Sequence, residues 1–429
     1  MKRKLSEYLQ WWKGLGAERM PLLLYGARQI GKTWLLKEYG ANNYGNTVYL
    51  NFEEEPALRH LFSDSIDPGR LIPQIERYYN ARIDQEKTLL VFDEIQSCNR
   101  ALTSLKYFCE KAPGYHVIGA GSLLGVHISS TDYSFPVGKV ITKTMYPMSF
   151  EEFLWESGKE VFADTIEACF ESNSPMQQGL HESLMGLYRE YLVVGGMPLA
   201  VDKYFRKDGL LSCGDVQRII IDTYVSDMSR YADKAQSIKT IGAYDSIVPQ
   251  LAKENRKFQY KMIAKGARAS QFGESIDWLI RAGVVIKCEK VTVGNMPPNI
   301  CKDVSAFKLY MGDIGLASYK ANLTREGGQN FDRTFMGGIT ENYVAAALVG
   351  NGYELFYWES DAKAEVDFVI VRGGSVIPVE VKAGDNTRSY SLNSYMKRYG
   401  PEYAIRVSGK NFGFENGIKS VPLYAAYLI

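Results

Sequence analysis

Two groups of residues have types and spacing suited to phosphate chemistry, one near each end of the chain. In the first, Gly26-Ala27-Arg28-Gln29-Ile30-Gly31-Lys32-Thr33 fits the pattern G-x-x-x-x-G-K-[ST] in full. Glycines let the backbone turn so that successive N–H groups converge on phosphate oxygens, and a helix opening at Lys32 adds its positive end. In that frame Lys32 reaches the β- and γ-phosphates and the Thr33 hydroxyl ligates Mg²⁺. The partner of this loop is Leu89-Leu90-Val91-Phe92-Asp93-Glu94, four apolar residues ending in two carboxylates. Emerging from a buried strand, Asp93 is expected to hold the Mg²⁺ shell and Glu94 to orient an attacking water.

The second group is Ala364-Glu365-Val366-Asp367-Phe368-Val369-Ile370 followed by Val376-Ile377-Pro378-Val379-Glu380-Val381-Lys382, with Gly373-Gly374 placed to join two strands as a hairpin. Alternate residues of a strand share a face, so Glu380 and Lys382 project together. Asp367 and Glu380 are expected to hold one or two metal ions, with Lys382 orienting or polarising water, and Glu341 at a helix start is a third candidate ligand. Phosphodiester cleavage uses such a clamp. The same residues also read as a nucleic-acid-binding surface without cleavage, or as a solvated strand face with a Glu380–Lys382 ion pair.

These residues need elements to position them. The runs Leu22–Tyr25, Thr47–Leu50, Leu89–Phe92 and Val117–Gly119 predict buried strands separated by helix-length segments, the pattern of a parallel sheet covered on both faces. From Ser149 the strand runs stop. Ser149 and Glu152 predict a capping box, and a helical lid or small helical domain follows. Residues 252–290 hold nine Lys or Arg against four Asp or Glu. Their order predicts helix Tyr260–Ala267, a turn, helix Ser270–Ala282 and a strand from Val284, a winged-helix arrangement. Lys253, Arg256, Lys257, Lys261, Lys265 and Arg268 are its candidate contacts to DNA phosphates. A helix Thr340–Val349 and strands at Glu354–Trp358, Glu365–Val371, Val376–Val381 and Tyr403–Val407 predict a mixed α/β domain at the end. The expected division is 1–148, 149–238, 239–330 and 331–429.

Composition bounds the class. The chain has 429 residues, 46% hydrophobic and 23% charged, with a net charge of +1. Two or three globular domains are expected, and a globally basic coat for nucleic acid is excluded, though a local basic face is not. Six scattered cysteines without C-x-x-C and only four histidines do not suit a zinc site or a disulfide framework. No apolar run reaches the ~18 residues of a membrane span. A cytoplasmic protein without membrane contact is expected.

The ordered motifs resemble those of a prokaryotic AAA+ ATPase group whose P-loop domain is fused to a C-terminal domain of unknown function with a PD-(D/E)xK nuclease-like core. The residues that carry the resemblance are the loop Gly26–Thr33, Asp93-Glu94-Ile95-Gln96, Gly121-Ser122, Pro147-Met148-Ser149-Phe150-Glu151-Glu152-Phe153 and Gly195-Gly196-Met197-Pro198. The resemblance implies ATP with Mg²⁺, Ser122 at the sensor position contacting the γ-phosphate, and Glu341, Asp367, Glu380 and Lys382 at the four nuclease positions. It implies action on or near nucleic acid, with DNA or a protein as partner and a homo-oligomer as the assembly. The alternative is an ATP-gated DNA- or protein-binding regulator that cuts nothing. One position departs from the group: Gly138-Lys139 stands where Gly-Arg is usual, and a lysine cannot fork onto a phosphate as an arginine finger does. His127, after the sensor strand, carries no assigned role.

Overall fold

The structure, a computed structural model, describes residues 1–122, 135–206, 210–230, 233–323, 333–360, 364–384 and 390–429; His127 lies outside them. The chain divides into two compact units. One holds Lys2–Tyr146 with Arg281–Gly283, the other Met1, Pro147–Ile280 and Val284–Ile429.

In the first unit five strands, β1 (Leu22–Tyr25), β2 (Asn46–Asn51), β3 (Thr88–Asp93), β4 (His116–Ala120) and β5 (Ile141–Thr144), pair in the order β2-β3-β4-β1-β5. Every pair is parallel. All strand C-termini therefore lie on one edge, which brings together the loop after β1, Asp93-Glu94 at the end of β3 and Gly121-Ser122 after β4. Such an edge is where open parallel sheets bind ligands. The four strands expected from apolar runs are present. The fifth has a mixed apolar and polar sequence and is only partly buried, so it carries no apolar signature. Leu23, Leu50, Phe92, Leu105 and Phe108 share a core cluster in which Phe52, Phe62 and Phe92 meet edge to face at 5.3–6.1 Å.

The second unit opens with helices Phe150–Glu156, Glu160–Ser172, Gln178–Val194, Pro198–Arg206 and Cys213–Arg230. The capping box forms as expected: the Glu152 amide donates to Ser149 Oγ (3.3 Å) and the Ser149 amide to Glu152 Oε2 (2.9 Å). Gly195, at φ +76°, ends one helix against Gly315; a Cβ there would lie 2.6 Å from the Gly315 amide nitrogen, so only glycine fits.

Beyond this point the elements run differently from the sequence pattern. Helix Lys234–Leu251 runs through the boundary placed at 238/239. The helix expected at Tyr260–Ala267 is a single 3₁₀ turn, Tyr260–Met262, before helix Ala269–Arg281. The following hairpin, β6 (Val285–Val291) and β7 (Lys302–Met311), is no free-standing wing. It belongs to an eight-stranded sheet with β8 (Phe356–Glu359), β9 (Glu365–Arg372), β10 (Ser375–Val381), β11 (Ala404–Ser408), β12 (Gly413–Glu415) and β13 (Ile418–Pro422), in the order β12-β13-β11-β10-β9-β8-β6-β7. The backbone edge of β6 that a separate domain would leave open pairs with β8 instead, and unpaired edges are disfavoured. The boundary expected at 330/331 thus falls inside one sheet. Among the described residues, no helix is long and apolar enough to cross a membrane.

Candidate functional site

At the edge of the five-stranded sheet, β1 runs directly into Gly26, whose φ is +142° and where a Cβ would come within 2.4 Å of the Met145 carbonyl. The loop ends at Gly31 (φ +90°), and helix Lys32–Asn43 begins. The buried Lys32 amine donates to the carbonyls of Gly26 (2.9 Å) and Ala27 (2.8 Å), closing the loop around itself. Burial lowers its pKa to about 8, although Glu94 and Asp93 oppose this.

The loop meets β3 through Thr33, whose Oγ1 donates to Asp93 Oδ2 at 2.6 Å. Asp93 is 1% exposed, and its Oδ1 accepts from the Glu94 amide (2.9 Å). Glu94 sits at φ +48°, a left-handed conformation uncommon outside glycine that turns its carboxylate off the strand line. That carboxylate accepts from the Gln96 amide group and from Ser122 Oγ (3.4 Å). Burial raises the Glu94 pKa, and the Asp93 charge adds to the effect. Arg28 Nε donates to Ser122 Oγ (3.3 Å), and its Nη2 pairs with Glu53 at 3.3 Å. Gly26, Lys32, Thr33, Asp93, Glu94 and Ser122, singled out from sequence, therefore stand on one strand edge and are linked by hydrogen bonds. Thr33 and Asp93 present hard oxygen donors, the set that Mg²⁺ prefers.

Sequence reasoning missed two residues here. Tyr49, on β2, donates to Asp93 Oδ2 at 2.5 Å. Arg3 donates to the carbonyl of Ile30 at 2.8 Å. Neither belongs to a contiguous motif; the parallel pairing of β2 with β3 is the signal that reaches Tyr49. Lys139 does not join the site. It precedes β5, so it lies at the opposite edge of the sheet, where it pairs with Glu110 at 3.2 Å.

In the second unit, β9 and β10 form the expected hairpin, closed by Gly373 and Gly374, both at positive φ. Val379 faces Phe368, so the next positions along the ladder set Glu380 opposite Asp367. The Val381 amide donates to Asp367 Oδ2 (2.8 Å), and Lys382 Nζ lies 2.6 Å from Glu380 Oε1. Helix Arg333–Gly350 brings in Glu341. The four nuclease-like positions thus share one neighbourhood. Glu341, the third candidate ligand, is met by cations of the chain itself. Fully buried Lys308 bridges Glu341 Oε1 (2.9 Å) and Glu365 Oε1 (2.6 Å). Arg256 pairs with Glu341 Oε2, and the Tyr310 hydroxyl donates to Oε1. Burial alone would raise the Glu341 pKa, but Lys308 and Arg256 outweigh it and hold it at about 2. Asp367 goes the other way: burial, then Glu341 and Glu380, push it well above the usual carboxylate range. Among the described residues, no group of three His, Cys, Asp or Glu has the arrangement to hold a metal ion.

Of the basic residues expected to meet DNA, Arg256 is committed to Glu341, and Lys257 to Glu359 at 2.5 Å. Lys253, Lys261, Lys265 and Arg268 are exposed.

Comparison with known families agrees with the first site. Residues 18–154 match a family described as an AAA domain. Residues 185–327 and 336–426 match two domains of unknown function, DUF8612 and DUF4143. The parallel sheet and the complete phosphate loop both lie within the segment 18–154. No curated protein matches the chain. A Walker-type ATPase of Pyrococcus abyssi is similar in structure at 13% identity and a TM-score of 0.40, over 75% of this chain and 95% of that one. The ORC2 protein of Aeropyrum pernix gives 12%, 0.37, 77% and 96%. A RuvB variant of Thermotoga maritima gives 16%, 0.27, 66% and 86%. At these TM-scores the likenesses carry no argument about this chain.

Proposed function

We propose that the chain is an ATPase of the AAA+ kind, which binds ATP with Mg²⁺ in the loop Gly26–Thr33 and hydrolyses it. The observation that carries this reading is the 2.6 Å hydrogen bond from Thr33 Oγ1 to Asp93 Oδ2, which joins the phosphate loop to the strand-end carboxylates. Lys32 exchanges its loop carbonyls for phosphate oxygens. The backbone amides of Ala27 to Lys32 bind and orient the phosphates. Thr33 and Asp93 would hold Mg²⁺, which when bound would supply positive charge to neutralise the phosphates. Glu94 takes the proton of the attacking water, and Ser122, beside it, orients the γ-phosphate. Phosphate release from ATP, compared between the wild type and Glu94→Gln, tests the assignment.

For the second unit, the observation that Lys308 and Arg256 saturate Glu341 favours the regulator over the nuclease. In this reading the unit binds DNA or a protein without cutting, and exposed Lys261, Lys265 and Arg268 are its contacts to phosphates. Asp367 and Glu380 remain as a two-carboxylate candidate for a metal ion, with Lys382 beside them. Incubation of plasmid DNA with the protein, Mg²⁺ and ATP tests this: intact DNA with an ATP-dependent mobility shift is expected. Nicking that is lost in Lys382→Ala would restore the nuclease.

A further inference from the structure

Arg3 lies 23 residues before the phosphate loop in sequence, yet its side chain is built into the loop's back face. It is 5% exposed. Its Nη1 donates to the Ile30 carbonyl at 2.8 Å and its Nη2 to the Tyr146 carbonyl at 2.7 Å. Next to Tyr146, the Met145 amide donates to Tyr25 (2.9 Å), and the Met145 carbonyl packs against Gly26. One guanidinium thus ties the end of the loop to the segment that supports its beginning.

The position of Arg3 is itself fixed. Its carbonyl accepts from the Ser6 amide at the start of helix Leu5–Lys13. That helix buries Leu9 and Trp12, and the Tyr39 hydroxyl, on the helix that follows the loop, donates to the Leu9 carbonyl at 2.9 Å.

We propose that Arg3 is a positioning residue of the nucleotide site: it holds the Ile30–Gly31 peptide so that its carbonyl faces away from the phosphates and its N–H faces them. The peptide group is planar and trans, so its oxygen and its hydrogen point to opposite sides. Fixing the Ile30 oxygen on Arg3 therefore aims the Gly31 N–H into the loop. A permanently charged guanidinium on that oxygen also polarises the peptide and strengthens the N–H as a donor. Both effects act on any bound phosphate and not on the water-orienting carboxylate of Glu94.

The inference rests on the ATPase reading and has its own test. ATP and ADP affinities are measured by calorimetry for the wild type, Arg3→Met and Arg3→Lys, with thermal unfolding of each nucleotide-free protein and steady-state turnover at saturating ATP. Expected for Arg3→Met is a loss of ~10-fold or more in affinity for both nucleotides, the scale of a hydrogen bond from a charged donor. Turnover at saturation should stay within about twofold of wild type, so that KM moves and kcat does not. Arg3→Lys keeps the charge but cannot span both carbonyls, and should fall between the two. Should Arg3→Met fail to fold, Arg3→Lys decides by the same criterion. Wild-type affinities in a folded variant, or a lowered melting temperature with unchanged affinities, would overturn the proposal and leave the ATPase reading standing. A wild type that binds neither nucleotide would overturn both.

Discussion

Tyr49 and Asp93 are joined by a 2.5 Å hydrogen bond that ends on Oδ2, the same carboxylate oxygen to which Thr33 donates at 2.6 Å. Two hydroxyls, one from β2 and one from the phosphate-loop helix, thus fix the rotamer of a carboxylate that is 1% exposed. Thr33 is the residue assigned to Mg²⁺, so Tyr49 is left to hold Asp93 when the metal binds. Tyr49→Phe removes that donor and the 3.4 Å hydrogen bond that its oxygen accepts from Asn51 Nδ2. A hydrogen bond to a charged group contributes about 1.5–3 kcal/mol, and its loss should raise the Mg²⁺ concentration needed for half-maximal ATP hydrolysis several-fold at unchanged ATP saturation. A Mg²⁺ titration identical to wild type would show that Asp93 needs no such support.

The lowered pKa of Lys32 makes nucleotide binding a proton-linked event. Nearby phosphate favours the ammonium, so binding raises the pKa from about 8. Below that value Lys32 is already charged and takes up no proton. Above it, binding draws a proton from solvent, and affinity falls as pH rises. Calorimetry at pH 8.5 in buffers of different ionisation enthalpy should show proton uptake that is absent at pH 6.5. Lys32→Ala should lose both the uptake and most of the binding. Equal proton counts at the two pH values would mean that Lys32 does not meet phosphate.

Glu94 has its pKa raised by burial and by the Asp93 charge. A base is inactive when protonated, so the acid limb of kcat/KM should lie above the range of a solvent-exposed glutamate. Glu94→Gln should bind ATP normally, lower turnover by ~10²-fold or more, and abolish that limb. A pH profile unchanged by the substitution would assign the limb to another group.

The Lys308–Glu341 pair should behave as a buried ion pair. Removing one partner of such a pair typically costs about 3–5 kcal/mol, because the other charge is left buried and unmatched. Urea unfolding of Lys308→Met or Glu341→Gln should show losses of that order, and the double substitution should recover part of them. Glu341 is held at about 2 against a usual 4.5, so its contribution is present above pH 4.5 and is lost as pH falls towards 2. Asp367, shifted upward, opposes this: it favours the fold in acid, and that contribution fades as pH rises past its ordinary value of 3.8. Additive losses in the double variant would show that the two side chains do not act as a pair.

The residues legible in the sequence are those whose role is set by neighbours in the chain. Gly26 to Thr33 is contiguous, and Asp93-Glu94 follows an apolar run, so both can be read from a line of text. Arg3, Tyr49, Lys308 and Arg256 cannot. Arg3 meets Ile30 across 27 positions and Arg256 meets Glu341 across 85. Nothing local distinguishes them from the many other basic and aromatic residues of the chain. The winged-helix expectation is not confirmed, for a related reason. A 3₁₀ turn, a helix and a strand are the local structure of residues 260–290, but the order of strands in a sheet is set by long-range pairing, and β6 pairs with β8.

Phosphate release from Mg²⁺-ATP by the wild type, Lys32→Ala and Glu94→Gln, with bound nucleotide counted in the same samples, decides whether the loop and the strand-end carboxylates form an ATPase site. The wild type should bind Mg²⁺-ATP and release phosphate, and Lys32→Ala should do neither. Glu94→Gln should bind as the wild type does while releasing phosphate ~10²-fold more slowly. A wild type that does not bind Mg²⁺-ATP, or a Glu94→Gln protein that turns over at the wild-type rate, would contradict this assignment.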